Sequence, residues 1–417
     1  MKGIFVVLSG VADEPCQALG QSTPLQAART PNLDALAKVS RIDYCHPMKE
    51  GVAPESSSSI VSLLGFDPHL APSGPLEAQG AGIKLTRGDL ALRCNFATID
   101  DLKSGNILDR RAGRTLNTKE ANALAKAINE GVKLPFKFEF YPTIQHRGIV
   151  VFRGGFSDNI TNADPFYRNG MAYAGITPKI VFSKPMDDED DSKLAADLVN
   201  SFIRKSHEVL DKHYLNVSRA GKGLFSANYL LCRGAGNEPA QFKKLRGKWM
   251  ALGYTPLKRG VAEVCKMDIY KVSYPKMKGI DVYENLYSAL RKAIKSSIKM
   301  LKKHRKSHDY FYINLRESDI AGLDNKPMET VKMIELIDRR LFSFLKKFVE
   351  KNNAKLVVTS GHTTSCRLKS HSADPVPVLF YNPFDLRDEE KRFTEEEGLQ
   401  GSKIAGRKLL ERTLFGK

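Results

Sequence analysis

Cysteine is sparse and dispersed in this chain. Cys16, Cys45, Cys94, Cys232, Cys265 and Cys366 are the only six in 417 residues, and no two form a CxxC pair. That pattern excludes a disulfide scaffold or a thiolate zinc site and predicts reduced thiols. No apolar run reaches the ~18 residues that a membrane span needs, so no membrane association is expected. The N-terminus enters a strand directly without a signal-type cleavage pattern, and the expected location is the cytoplasm. Acidic residues are also short: 47 Asp and Glu against 65 Lys and Arg, a net charge of +18. Low-complexity sequence is confined to Ser56–Ser59.

What is present belongs to an ordinary globular protein, with 42% apolar and 27% charged residues. The length predicts two domains. The basic excess admits two readings, a lysine-rich solvated surface or a polyanion partner such as RNA or the ribosome. Nothing in the chain specifies an oligomeric state.

The stretch Leu356 to Phe380, LVVTSGHTTSCRLKSHSADPVPVLF, is the chemical centre. A buried strand runs into a polar loop that presents His362 and His371, the place where open α/β sheets put their ligands. Imidazoles and carboxylates there suit a divalent cation and phosphoryl chemistry. Gly361 stands beside His362 and offers no ligand atom.

Residues 2–8, KGIFVVL, predict a first strand, and Thr30-Pro31 starts a helix. In GVAPESSSSIVSLLG, residues 51–65, the serines fall at a helix start, where the dipole favours a phosphate or a nucleophile. Residues 90–247 read as an inserted domain, with 1–89 and 248–417 forming one discontinuous unit. Beyond it, strands are expected at 249–253, 269–272 and 310–315, and helices over 260–266 and from Glu317 to Val349. Residues 286–306 carry an apolar stripe opposite Lys292, Lys295, Lys299, Lys302, Lys303 and Lys306, the candidate polyanion face. His213, His304 and His308 read as surface residues.

Several collinear stretches carry a resemblance. VVLSGVADEP, TPLQAARTPNLDALAK, APESSSSIVSLLGFDP, GPLEAQGAGIKL, RCNFATID, DRRAGR, HRG, LCRGAG, ESDIAGLD and HSADPVPVLFY occur in order. Together they resemble the archaeal-type cofactor-independent phosphoglycerate mutases of the alkaline phosphatase superfamily. The resemblance implies an alkaline-phosphatase-like three-layer α/β sandwich with an inserted α/β substrate domain. It further implies two divalent metals (Mn, Mg or Co) and a serine that carries the phosphoryl group between 3- and 2-phosphoglycerate.

Carried over residue by residue, Ser56 holds the nucleophile position. Arg110, Arg111, Arg114, His146, Arg147, Arg233 and Lys258 hold substrate-side positions, for a phosphorylated small molecule. Asp319, His362 and His371 remain at metal positions, whereas Ser9, Leu323 and Gly361 stand where the family has an aspartate, a histidine and an aspartate. Ser57 and Ile60 also depart from the family pattern. Glu55 and Asp13 are the carboxylates left to substitute. Two functions stay open. One is a degraded, non-catalytic protein that acts by binding, with weak or absent metal affinity. The other is a working mutase with an altered or single-metal site.

Overall fold

The computed structural model describes residues 1–168, 171–172 and 179–416. Its main sheet has eight strands in the spatial order Asp268–Lys271, Trp249–Gly253, Tyr310–Leu315, Gly3–Leu8, Lys355–Thr359, Val376–Tyr381, Arg41–His46 and Lys403–Ala405. The first five run parallel, and Val376–Tyr381 lies antiparallel to both of its neighbours. Gly3–Leu8 shows why this is a three-layer arrangement. Ile4, Val6 and Leu8 pack with Leu286, Leu290, Ile294 and Ile334 on one side. Phe5 and Val7 pack with Val61, Leu64, Val261 and Leu410 on the other. A strand buried on both faces reads as a continuous apolar run, as residues 2–8 do.

A second sheet is antiparallel and is built from Leu90–Ile99, Ile107–Asp109, Phe138–Pro142, Arg147–Phe152 and Tyr229–Gly236. Its own core joins Leu92, Phe96, Phe140 and Phe152 to Leu124 and Ile128 of the helix Thr118–Gly131 and to Phe202 of Asp190–Asp211. Among the described residues, no helix is long and apolar enough to cross a membrane.

Three expectations need correction: the helix after Glu317, the start of the helix at 260–266, and the surface position of His308. The segment after Glu317 is not one helix: Glu317–Leu323 ends, Asn325 takes a φ of 54°, and Pro327 opens a new helix, Pro327–Ile337. The helix expected at 260–266 starts earlier, at Pro256, where Thr255 caps it through the Lys258 amide. The basic helix spans Val282–His304, with Lys295, Lys299, Lys302, Lys303 and the following Lys306 exposed and Lys292 half-buried against Ser273. His308 is buried, its Nε2 2.9 Å from Asp268 Oδ2.

The helix Ser73–Ala81 is wedged between the two sheets' territories through glycines. A Cβ at Gly74 would overlap the carbonyl oxygen of Ala91, and one at Gly80 would overlap that of Pro256. Backbones approach this closely only where no side chain intervenes. Gly80→Ala is therefore expected to destabilise the protein by about 2–3 kcal/mol, the scale of overpacking in a tight core. Urea unfolding checks it, and an unchanged midpoint would show that this contact yields freely.

Candidate functional site

Three parallel strands end side by side, with Val7 opposite both Asn314 and Thr359. The chain beyond each end delivers Ser9, Asp319 and the Gly361-His362 pair to one place, at the carboxyl edge of the sheet. The short hairpin Thr363–Ser365 with Ser370–Ser372 returns His371 to the same place. Ser56 arrives from the other side as the first residue of the helix Ser56–Leu63.

The resulting cluster is tight. Ligand atoms of Asp319, His362 and His371 lie within 4.8 Å of one another, and all three residues are buried. Asp319 Oδ1 is 3.3 Å from His371 Nε2 and 4.0 Å from His362 Nε2, and the two imidazoles stack at 3.6 Å. Ser56 Oγ is 3.2 Å from His362 Nε2. His371 Nδ1 is 2.7 Å from the Pro54 carbonyl, which can only accept. His371 Nδ1 therefore donates to that carbonyl, and Nε2 faces Asp319. That buried Nε2 has no hydrogen-bond partner. Burial and then the neighbouring His371 push His362 down to about 3, so it is neutral near pH 7. Burial alone would raise Asp319, but the imidazoles and Arg316 outweigh it and hold the carboxyl well below the usual carboxylate range.

One carboxylate and two imidazoles gathered this closely fit one divalent cation, with Asp319, His362 and His371 as its ligands. Among the described residues, no second such group of ligands gathers. A Cβ at Gly361 would lie 3.1 Å from Ser9 Oγ, so the two positions that lack carboxylates are neighbours. Leu323 is buried beside Ile320 and packs where an imidazole was expected. Neither proposed substitute is available. Glu55 Oε1 holds Arg93 at 3.4 Å and Arg233 at 3.1 Å, while Asp13 accepts from the amides of Glu14 and Cys366.

A cavity lined by Arg93, Arg110, Arg111, Arg114, His146, Arg147, Arg233 and Arg316 opens onto Ser56, Asp319 and His371. Some of these charges are matched. Arg93 meets Glu77 at 2.9 Å, Arg233 meets Asp164 at 2.6 Å, and Arg114 pairs with Asp324. Arg110 donates to the Lys369 carbonyl and lies 4.9 Å from the Phe166 ring. Arg111, Arg147 and Arg316 form no ion pair with a carboxylate among the described residues. Burial, then Arg110 and Arg114, push Arg111 well below the ordinary guanidinium value. Burial, then Arg316 and Arg93, do the same to Arg147. His146 is lowered by burial and then by Arg147.

Lys258 does not line this cavity; its Nζ donates to Tyr254 Oη at 2.7 Å and to the Asn314 carbonyl, and Tyr254 donates to Glu317. Burial lowers Lys258 despite Glu317. Arg93 and Arg316 were missed as site residues, although Arg93 opens the motif RCNFATID and Arg316 immediately precedes ESDIAGLD. Thr364, which bridges His362 and Asp319, was also missed, and its hydroxyl carries no spacing signal. The polyanion lysines lie on another surface, outside the cavity lining.

This geometry sets the cation content. Titration with manganese or cobalt, followed by metal analysis, should give at most one ion per chain, and Asp319→Asn should abolish it. Two stoichiometric ions would contradict the ligand count.

A family model described as 2,3-bisphosphoglycerate-independent phosphoglycerate mutase matches residues 37–216. The enzyme of that name from Thermococcus kodakarensis is 36% identical over 406 residues, 96% of this chain and 93% of the relative. The one from Methanosphaera stadtmanae is 35% identical over 409 residues, 96% and 94%. A solved Pyrococcus horikoshii structure superposes with a TM-score of 0.72 at 26% identity, covering 99% of this chain and 96% of that one. The cofactor-independent phosphoglycerate mutase of Thermoplasma acidophilum gives 0.55 at 29%, covering 100% and 99%. Shared along nearly its whole length, the likeness means that this chain belongs to the 2,3-bisphosphoglycerate-independent phosphoglycerate mutase family.

Proposed function

We propose that this protein binds phosphoglycerate in the arginine cavity and moves the phosphoryl group between its 2- and 3-hydroxyls by way of Ser56. The centre that assists it holds at most one divalent cation. One observation carries the reading: Ser56 faces the same cavity as Arg111, Arg147 and Arg316, guanidiniums without carboxylate partners among the described residues. These three side chains are half-buried, positive charge held partly out of water is costly until an anion enters, and guanidinium forks suit carboxylate and phosphate. A phosphoglycerate supplies both groups. A cation on Asp319, His362 and His371 would add Lewis-acid polarisation of a phosphoryl oxygen. The separate cores of the two sheets support a discontinuous unit, 1–89 with 248–417, and an inserted unit, 90–247.

Ser9, Gly361 and Leu323 favour a second reading, in which the cavity binds its ligand without turning it over. A coupled mutase assay with manganese, cobalt or magnesium separates the two. Turnover that disappears in Ser56→Ala supports the first. Binding without turnover in any metal supports the second. In either case Arg147→Ala should weaken phosphoglycerate binding by about tenfold or more, the scale of one charge-assisted hydrogen bond.

The exposed lysines at 295, 299, 303 and 306 could serve a separate contact with RNA or the ribosome. Such binding should survive ~150 mM salt and weaken when those four become Gln. No retention at that salt removes the contact.

A further inference from the structure

Six dispersed cysteines give an expectation of reduced thiols, but the fold brings two of them face to face. Cys94 lies in the strand Leu90–Ile99 and Cys232 in Tyr229–Gly236, and antiparallel pairing sets them directly opposite each other. The register shifts only between Ala91 and Arg93; from there Arg93 faces Arg233, Cys94 faces Cys232 and Asn95 faces Leu231. Directly opposed residues of an antiparallel pair hold their Cα atoms about 4.5–5.5 Å apart, inside the roughly 4.4–6.8 Å that a disulfide spans. The side chains converge as well. Their Sγ atoms are 3.2 Å apart, against about 2.05 Å for the covalent bond. Bond formation therefore asks for side-chain rotation and no change of register. Both residues are fully buried, in the core that also holds Phe96, Phe140 and Phe202. Burial, then the adjoining Cys94, push the Cys232 thiol well above its ordinary value, which keeps it protonated in the closed fold.

We propose that Cys94 and Cys232 are a modification site, a thiol pair that a low-molecular-weight disulfide converts into a cross-strand disulfide. One cysteine, as its thiolate, attacks a sulfur of the small disulfide. A mixed S–S bond forms, the small S–S bond breaks, and one small thiolate leaves. The second cysteine's thiolate attacks the protein sulfur of the mixed bond and expels the other small thiolate. Two protein thiols are thereby oxidised, one small disulfide is reduced to two thiols, and the two protein thiol protons end on them. Local opening of the strands admits the reagent, and the closed fold shields the finished bond. The link closes a loop from 94 to 232 that contains the helices Thr118–Gly131 and Asp190–Asp211, and long loops gain most from closure. It also ties together the strands that carry Arg93 and Arg233, the two arginines held by Glu55. The inference is independent of what the arginine cavity binds.

The test incubates the full chain in buffers of oxidised and reduced glutathione until the thiol distribution stops changing. Urea below the unfolding transition lets the strands open. Alkylation and peptide mass spectrometry should then find Cys94 joined to Cys232, and dithiothreitol should release the link. With urea removed, the oxidised protein should melt about 5 °C or more above its reduced form, a shift that Cys94→Ala lacks. The comparison of oxidised and reduced wild type stands even where that variant fails to fold. Both cysteines recovered as free thiols from the most oxidising buffer would overturn the proposal. So would glutathione retained on either one, a link from either to a different cysteine, or a linked form that melts below the reduced one.

Discussion

Buried positive charge is the constraint on which this site depends. Nine arginine or histidine side chains line one cavity, most of them supplied by the second sheet and its loops, and Arg316 and His371 by the loops of the first. Left unpaired, such charges would repel one another across the elements that carry them. Glu55 prevents this by holding Arg93 and Arg233, both on strands of the second sheet, while itself immediately preceding the helix that bears Ser56. Asp324 does the same for Arg114. The carboxylates present neutralise the rim, and the unmatched Arg111, Arg147 and Arg316 define where an anion belongs. The same ion pairs that close the cavity therefore place the nucleophile within it.

The cation chemistry follows from what the three strand ends deliver. Asp319, His362 and His371 were expected as remnants of two separate sites; the geometry gathers them into one. Ser9 and Gly361, the positions at which the resemblance implies carboxylates, lie side by side. Carboxylate charge is what holds a hard divalent ion, and one aspartate with two imidazoles suits a single borderline ion.

Much of this was legible in the residues. Apolar runs announced the strands Gly3–Leu8 and Tyr310–Leu315 because parallel strands are covered on both faces. The serines after Pro54 marked a helix start because Pro and hydroxyls belong there. Arg93 was harder: it lies inside a fully buried strand, and only its antiparallel neighbour Arg233 and the distant Glu55 explain its charge. The broken helix after Glu317 was signalled by Asp324-Asn325-Lys326-Pro327, a turn that the apolar spacing on either side obscured. Thr364 had no signal at all, since a hydroxyl becomes a bridge only when tertiary structure brings Asp319 and His362 to it.

The central claim is that an anion completes the cavity. The most direct measurement is thermal unfolding of the metal-free protein across increasing 3-phosphoglycerate. A ligand that fills unmatched guanidiniums binds the folded state alone and stabilises it by about 2.7 kcal/mol at a hundred times its Kd. The account predicts a saturable rise in Tm that is lost in Arg147→Ala. An unchanged Tm at millimolar ligand, or an equal rise in that variant, would contradict it.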